Sequence, residues 1–291
     1  MNVLSLFDGI SCARVAFDRA QITIDKYYAS EISEQAIRVS SMNYPDIVHI
    51  GDVKDIDFNT YSGIDIVVGG SPCSWWSNAR TANHCKDTRE RTIDGNGYEL
   101  FQYYVQAVRQ TKCRYFIYEN NYSMSKEVMN QISTDLGVQP IMIDSALVSA
   151  QSRKRYYWTN IQVDIPADRH IMLSDIIEDA VTGAAIRNQK TKDGYDHRTD
   201  IRKDGKSNCL VTFATKRNNC IQLKDNSIRP LTADEFELLQ TLPIGYTKCL
   251  SESGRKSVCA LGWTVDVIAY IMKHMPESAL YEPLIVNKKL F

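Results

Sequence analysis

Residues 64–73 read Ile64-Asp65-Ile66-Val67-Val68-Gly69-Gly70-Ser71-Pro72-Cys73. A short β-branched run closed by two glycines predicts a buried strand ending in a tight turn. Open α/β sheets collect their ligands beyond the carboxyl ends of their strands. A cysteine in that turn is therefore a candidate nucleophile. Taken alone, Cys73 reads more readily as one buried thiol among the eight cysteines of the chain, and the surrounding pattern has to decide.

Outward from this turn, strand and helix signals alternate. Residues 2–7, 26–30 and 47–50 read as strands before it, with helices over 12–20 and about 34–43. After it, residues 98–110 are helical, with Leu100, Phe101, Tyr104, Val105 and Val108 on one side. Residues 115–118 and 140–144 follow as strands, separated by a helix over 126–136. This order predicts an α/β fold, a Rossmann-like and mostly parallel sheet covered on both faces. Beyond about residue 161 the pattern changes. Residues 165–228 are polar, basic and poor in periodic runs, and are expected to form a small, irregular lobe. Helical signals resume at 233–242 and 265–273. The expected division is 1–164, then the lobe at 165–228, then a return segment at 229–291 whose last helix completes the first domain.

At 291 residues, 44% hydrophobic and 24% charged, the chain can bury a substantial core. No apolar run approaches the ~20 residues of a membrane span, and the start, Met1-Asn2-Val3-Leu4-Ser5-Leu6-Phe7-Asp8, is unlike a signal peptide. The cysteines are scattered without a Cys-x-x-Cys pair, which argues against zinc and for reduced thiols in a cytoplasm. The net charge of −1 conceals an asymmetry, because residues 187–224 hold 10 Lys/Arg against 4 Asp. Such a stretch is either an anion-binding face or a solvated loop.

Three further signals sit at strand ends. Phe7-Asp8-Gly9-Ile10-Ser11 follows the first strand and opens a helix, where Gly9 admits close backbone approach and free N–H groups face a ligand. Glu31 ends the second strand and suits ribose hydroxyls, and Asp52 follows the third and suits an adenine amino group. Each is ordinary alone; in register they point to a nucleoside cofactor. Glu119, in Tyr118-Glu119-Asn120-Asn121, would stand beside Cys73 if the fourth and fifth strands are neighbours. It is either a proton donor to the nucleophile's substrate or a helix-capping acid. Gln151-Ser152-Arg153-Lys154-Arg155 carries two arginines at i, i+2, which on an extended segment project from one face. They make either a clamp on phosphate or a base carbonyl, or an exposed basic turn.

In this order, along nearly the whole chain, these elements resemble the cytosine-C5 DNA methyltransferase family. The compact phage or bacterial members and the animal de novo enzymes are the nearest in pattern. Phe7-Asp8-Gly9 resembles the cofactor loop, Gly70-Ser71-Pro72-Cys73 the nucleophile motif, Glu119-Asn120 the Glu-Asn-Val motif and Gln151-x-Arg153-x-Arg155 the Gln-x-Arg-x-Arg motif. Arg229-Pro230-Leu231-Thr232 with Glu235, Leu239 and Gln240 resembles the support of the recognition lobe, and Gly262-Trp263-Thr264-Val265 the end of the last motif. The resemblance implies addition of Cys73 to cytosine C6, proton donation by Glu119 to N3, and a grip on the base carbonyl by Arg155 with Arg153 nearby, supported by Gln151. It implies S-adenosylmethionine as donor, without a metal, held by Phe7, Asp8, Gly9, Ile10, Ser11, Glu31, Ile32, Asp52, Val53, Pro72, Trp263, Thr264 and Val265. It also implies a double-stranded DNA partner, a flipped target base, and a mobile loop at 74–97 closing over it. A monomer is expected from the neutral charge and the lack of a long exposed apolar helix.

Two departures from the family pattern stand out. Asn121 replaces an apolar residue. The last motif, usually Ala-Leu-Gly-Asn-Gly-Trp, reads Ala260-Leu261-Gly262-Trp263. Counting back from Trp263 puts Ala260-Leu261 at the Gly-Asn pair; sliding the alignment deletes Asn-Gly. Either way the usual Asn is missing and the donor pocket is expected to differ. The change is a neutral variation, or it accommodates an S-adenosylmethionine derivative with a larger or charged group, which Arg255 and Lys256 could meet, or it marks a weakened DNA-binding homologue. Transfer RNA is an alternative substrate, since a few relatives with this fold modify it.

Overall fold

Alternation of side chains along the strands divides the core into two layers. Val3, Ile66, Val68 and Ile117 face one side of the central sheet, and Leu4, Leu6, Val67, Phe116 and Tyr118 face the other; all are buried. A sheet covered on both faces needs apolar residues at every position, which is why these strands read as continuous apolar runs. The computed structural model describes residues 1–77, 89–191, 194–212 and 219–276.

The sheet has seven strands: β1 (Asn2–Leu6), β2 (Lys26–Ser30), β3 (Val48–Gly51), β4 (Ile66–Gly69), β5 (Tyr115–Asn121), β6 (Ile141–Asp144) and β7 (Lys154–Thr159), in the order β3-β2-β1-β4-β5-β7-β6. The first five strands pair in parallel, and β7 runs antiparallel between β5 and β6. One face carries α1 (Cys12–Arg19) and α2 (Glu34–Asn43) with α6 (Ala233–Leu239), α7 (Glu252–Leu261) and α8 (Val265–Met272), through Phe17, Val39, Phe236, Cys259 and Ile268. Because α8 packs on α1, residues late in the chain meet the loop after β1. The other face is covered by α3 (Asn96–Thr111) and α4 (Lys126–Leu136), through Phe101, Tyr104, Val105, Val128 and Ile132.

Two elements escaped the sequence reading. Strand β7 begins inside the basic motif, so its apolar part, Tyr157 and Trp158, is too short to announce a strand. Helix α7 holds Gly254 and a mostly polar first half; it is started by Ser251, whose Oγ accepts from the Gly254 N–H at 3.3 Å.

The segment expected to be irregular carries a four-stranded antiparallel sheet. Its strands are β8 (Ala180–Thr191), β9 (Gly194–Ile201), β10 (Cys220–Leu223) and β11 (Ile228–Pro230), in the order β11-β10-β8-β9, after a short helix, α5 (Leu173–Ile176). In β9 the described side chains of residues 197–201 are mostly exposed, which removes the apolar alternation that would have signalled a strand there. The lobe is rooted to the central sheet beside β7. Ser207 exchanges backbone hydrogen bonds with Ala150 and Ser152 at 2.7 and 3.0 Å. The buried ammonium of Lys206 donates to the carbonyls of Ala146, Ser149 and Ile171 at 2.7, 3.1 and 2.7 Å. Residues 78–88, the middle of the segment expected to close over the site, lie outside the described residues, as do Lys192, Lys216 and Arg217 of the basic stretch.

Candidate active site

The turn after β4 is shaped by close packing. A Cβ on Gly70 would lie 2.7 Å from the Glu119 carbonyl oxygen, and one on Gly69 2.6 Å from that of Leu6, so no side chain fits at either place. Asn120 then fixes the turn from β5: its amide donates to the Ser71 carbonyl at 3.0 Å and to the Tyr118 hydroxyl at 3.1 Å, and that hydroxyl meets Ser71 Oγ at 2.7 Å. These bonds present Cys73 at the wall of a cavity.

Register brings the acid and the arginine together. Strands β5 and β7 pair Glu119 with Tyr157 and Asn121 with Arg155, so Glu119 and Arg155 are diagonal neighbours on one side of the sheet. Arg155 Nε lies 2.8 Å from Glu119 Oε1, and both side chains are buried. Trp263 Nε1 donates to the other oxygen, Oε2, at 3.0 Å. Burial works against the charge on Arg155, but Cys209, Glu119 and Cys73 around it outweigh that and hold it cationic. Burial raises the Cys73 thiol pKa; Glu119 and Cys209 reinforce the rise, while Arg155 and Arg153 oppose it. The thiol thus keeps its proton until something near it changes.

The two arginines converge on one sulfur and otherwise diverge. Arg153 Nη1 lies 3.6 Å and Arg155 Nη2 4.0 Å from Cys209 Sγ. Arg153 also donates to the carbonyls of Ala260 and Gly262 at 3.2 and 3.0 Å. It thereby holds the end of α7, where helix carbonyls lack partners. Gln151 donates to the Leu239 carbonyl at 2.9 Å and to Gln240 Oε1 at 3.1 Å, and accepts from the Leu210 N–H at 3.0 Å. It joins the lobe to the return segment.

The cavity continues from Cys73 and Pro72 past Glu119 to Phe7, Asp8, Gly9, Ile10 and Glu31, with Leu261 and Trp263 on the far wall. Phe7, Gly9 and Ser11 all have left-handed backbone, with φ of 56°, 60° and 58°. Such strain in non-glycine residues concentrates where a loop is shaped for a ligand. Glu31 is oriented by backbone N–H groups, with Oε2 accepting from Gly9 at 2.7 Å and Oε1 from Ile32 and Ser33 at 2.8 Å each. Burial pushes the Asp8 pKa up to about 6, Glu31 adds to the rise, and hydrogen bonds from Ser11, Ser5 and Tyr27 moderate it.

Residues 1–181 match the family described as C-5 cytosine-specific DNA methylase. The chain belongs to that family. The chain is 27% identical over 180 residues to the orphan methyltransferase M.Rho11sI of Bacillus phage rho11s, a match covering 57% of the chain and 34% of the relative. It is 25% identical over 289 residues to the type II methyltransferase M1.ScrFI of Lactococcus lactis subsp. cremoris, covering 87% of the chain and 72% of the relative. The chain therefore matches only about a third of the phage enzyme's length. Among solved structures, the fold is shared with the Entamoeba histolytica methyltransferase EhMeth at a TM-score of 0.68 and 15% identity, covering 94% of this chain and 97% of that one. It is shared also with Spodoptera frugiperda DNMT2 at a TM-score of 0.62 and 16% identity, covering 94% and 98%.

Several sequence-predicted residues stand off the cavity wall. Ile32 is exposed beside Glu31, and Asp52 caps the turn that buries Val53, its Oδ1 accepting from the Lys54 N–H at 3.1 Å. Thr264 is buried and donates to Gln240 Oε1 at 2.8 Å, Val265 is buried in the core, and Ala260 is buried in α7. Asn121 was expected to add polarity near the nucleotide pocket. Its Oδ1 instead accepts from the Ser123 N–H and hydroxyl at 2.9 and 2.8 Å, in a local turn. Arg255 and Lys256, expected to be able to meet an acidic donor group, are engaged elsewhere: Arg255 pairs with Asp234 and with Glu237 at 3.0 Å, and Lys256 with Glu252 at 2.9 Å. Cys209 was missed. It lies far from Cys73 in sequence, in a basic stretch that gives no sign of where its one early thiol points.

Proposed function

We propose that this protein transfers a methyl group to C5 of a cytosine in double-stranded DNA. The observation that carries the reading is that Cys73 and Glu119, the latter paired to Arg155, line one end of a cavity whose other end is the Phe7–Ile10 turn and Glu31. The cavity fits S-adenosylmethionine: Glu31 suits its ribose, the turn's backbone its amino-acid end, and the two acids Asp8 and Glu31 its positive charge. When bound, that donor supplies an electrophilic methyl group.

The protein's own residues do the rest. Cys73 Sγ gives its proton to water, adds to C6 of the base and leaves C5 electron-rich. Glu119 gives a proton to N3, so the adduct carries no net negative charge on the ring. Arg155 holds the base carbonyl and stays charged while doing so. Loss of the C5 proton to water, return of the N3 proton to Glu119 and departure of the Cys73 sulfur with its bonding electron pair restore the ring. The target base must leave its stack to reach Cys73. The β8–β9 ribbon, with Arg187 and Arg198 directly opposite each other, is suited to phosphates and base edges in a major groove.

Among the described residues no helix is long and apolar enough to cross a membrane, and the seven described cysteines are free thiols, which suits a reducing cytoplasm. The test is mass spectrometry of nucleosides from unmodified duplex DNA incubated with the protein and S-adenosylmethionine. Transfer RNA serves as the competing substrate at stated salt. The expected result is 5-methylcytosine from DNA that disappears in Cys73→Ala. No product from the intact protein, or product only from RNA, refutes the reading.

A further inference from the structure

Trp263 has no role in the steps above, yet it touches the acid at their centre. Its Nε1–H donates to Glu119 Oε2 at 3.0 Å while Arg155 Nε lies 2.8 Å from Oε1. The carboxyl group is therefore held at both oxygens, from β7 on one side and from the return segment on the other. A carboxyl oxygen has two in-plane directions, so beside these two contacts each oxygen keeps one free, and the proton passed to N3 would sit on one of them.

The tryptophan itself is fixed on both sides. The Gly262 carbonyl accepts from Arg153 at 3.0 Å and from Gln240 at 2.9 Å, and the Thr264 hydroxyl donates to Gln240 at 2.8 Å. A Cβ on Gly262 would lie 3.1 Å from Cys12 Sγ, and one on Gly70 would lie 3.1 Å from Glu119 Oε2 and 3.4 Å from the indole nitrogen. The glycines thus keep open the space in which this contact forms. Trp263 follows directly on this clamped glycine.

We propose that Trp263 is a positioning residue for Glu119, its indole N–H setting the plane in which the carboxyl group meets the base. The proposal rests on the methyl-transfer reading. A cavity wall alone would need only the ring, whereas positioning needs the N–H, and Trp263→Phe separates the two. The expected result is a kcat lower by about tenfold, KM for S-adenosylmethionine within about threefold, and an unchanged melting temperature. A second measurement needs no turnover. In ¹⁵N-labelled protein the four tryptophans give separate indole N–H signals, and the one lost in Trp263→Phe is that of Trp263. In Glu119→Gln this signal should move as the acceptor changes from a carboxyl to an amide oxygen. A parental kcat in Trp263→Phe, or an unmoved signal in Glu119→Gln, overturns the positioning role and leaves the reaction standing. Absence of 5-methylcytosine from the intact protein overturns the reaction and the role with it.

Discussion

Replacing Arg153 with alanine should lower stability by about 3 kcal/mol and weaken donor binding, although the residue lies in a motif expected to grip the base. Its guanidinium is buried and donates to the Ala260 and Gly262 carbonyls at the end of α7. A hydrogen bond from a charged donor contributes roughly 1.5–3 kcal/mol. Two would give roughly 3–6 kcal/mol, but the Gly262 carbonyl keeps Gln240 as a partner at 2.9 Å, so the lower end applies. Urea unfolding at pH 7 measures the loss as a shift in midpoint at unchanged slope. Arg153→Lys should recover less than half, since an ammonium reaches one carbonyl but lacks the planar fork that spans both. Leu261 and Trp263 line the cavity on either side of Gly262, so the affinity for S-adenosylhomocysteine, read by calorimetry, should fall together with stability. A change in stability below about 1 kcal/mol, with affinity unaltered, would refute the assignment of Arg153 as the brace of this wall.

Two further outcomes depend on pH. Asp8 is raised from 3.8 to about 6 by folding, so the folded state binds its proton more tightly. The stability this contributes is complete below about pH 4 and is lost as pH rises through about 6. Between pH 4 and 7 the wild type should lose roughly 2–3 kcal/mol relative to Asp8→Asn; parallel stability curves for the two would show the reasoning to be wrong. Burial favours the neutral thiol of Cys209, but the charges of Arg153 and Arg155 outweigh it and lower the pKa, whereas that of Cys73 is raised. A small thiol reagent such as methyl methanethiosulfonate at pH 7.5 should therefore mark Cys209 before Cys73 by peptide mapping; the reverse order would contradict the electrostatics.

The parts of the fold that sequence made legible are those with an unambiguous period. Residues such as Val3, Leu4, Ile66 and Val67 are buried on opposite faces of one sheet, and their β-branched runs needed no long-range information. Glu31 and Glu119 were singled out because strand ends in such sheets carry ligands, and the structure sets both on one cavity wall. The rest depended on contacts across large separations. Nothing local in Lys206-Ser207-Asn208-Cys209 indicates that its thiol faces two arginines of another element. Nor does the i, i+2 spacing of Arg153 and Arg155 say that one meets Glu119 while the other holds the end of α7. Asn121 was misplaced for the opposite reason: a polar residue in a motif invites a functional reading, and its side chain simply closes a turn with Ser123.

The buried Lys206 ammonium has a consequence for exchanging target specificity between related chains. Three carbonyls from two separate segments meet on it, and Leu210, four residues on, is tied to Gln151. The strip from 205 to 210 thus belongs mechanically to the catalytic framework although it lies between lobe strands. A graft that replaces residues 180–204 and keeps this strip would import a foreign ribbon onto an intact mounting. One that crosses it would detach the scaffold behind Arg153 and Arg155, and with it the support of the cluster around Glu119.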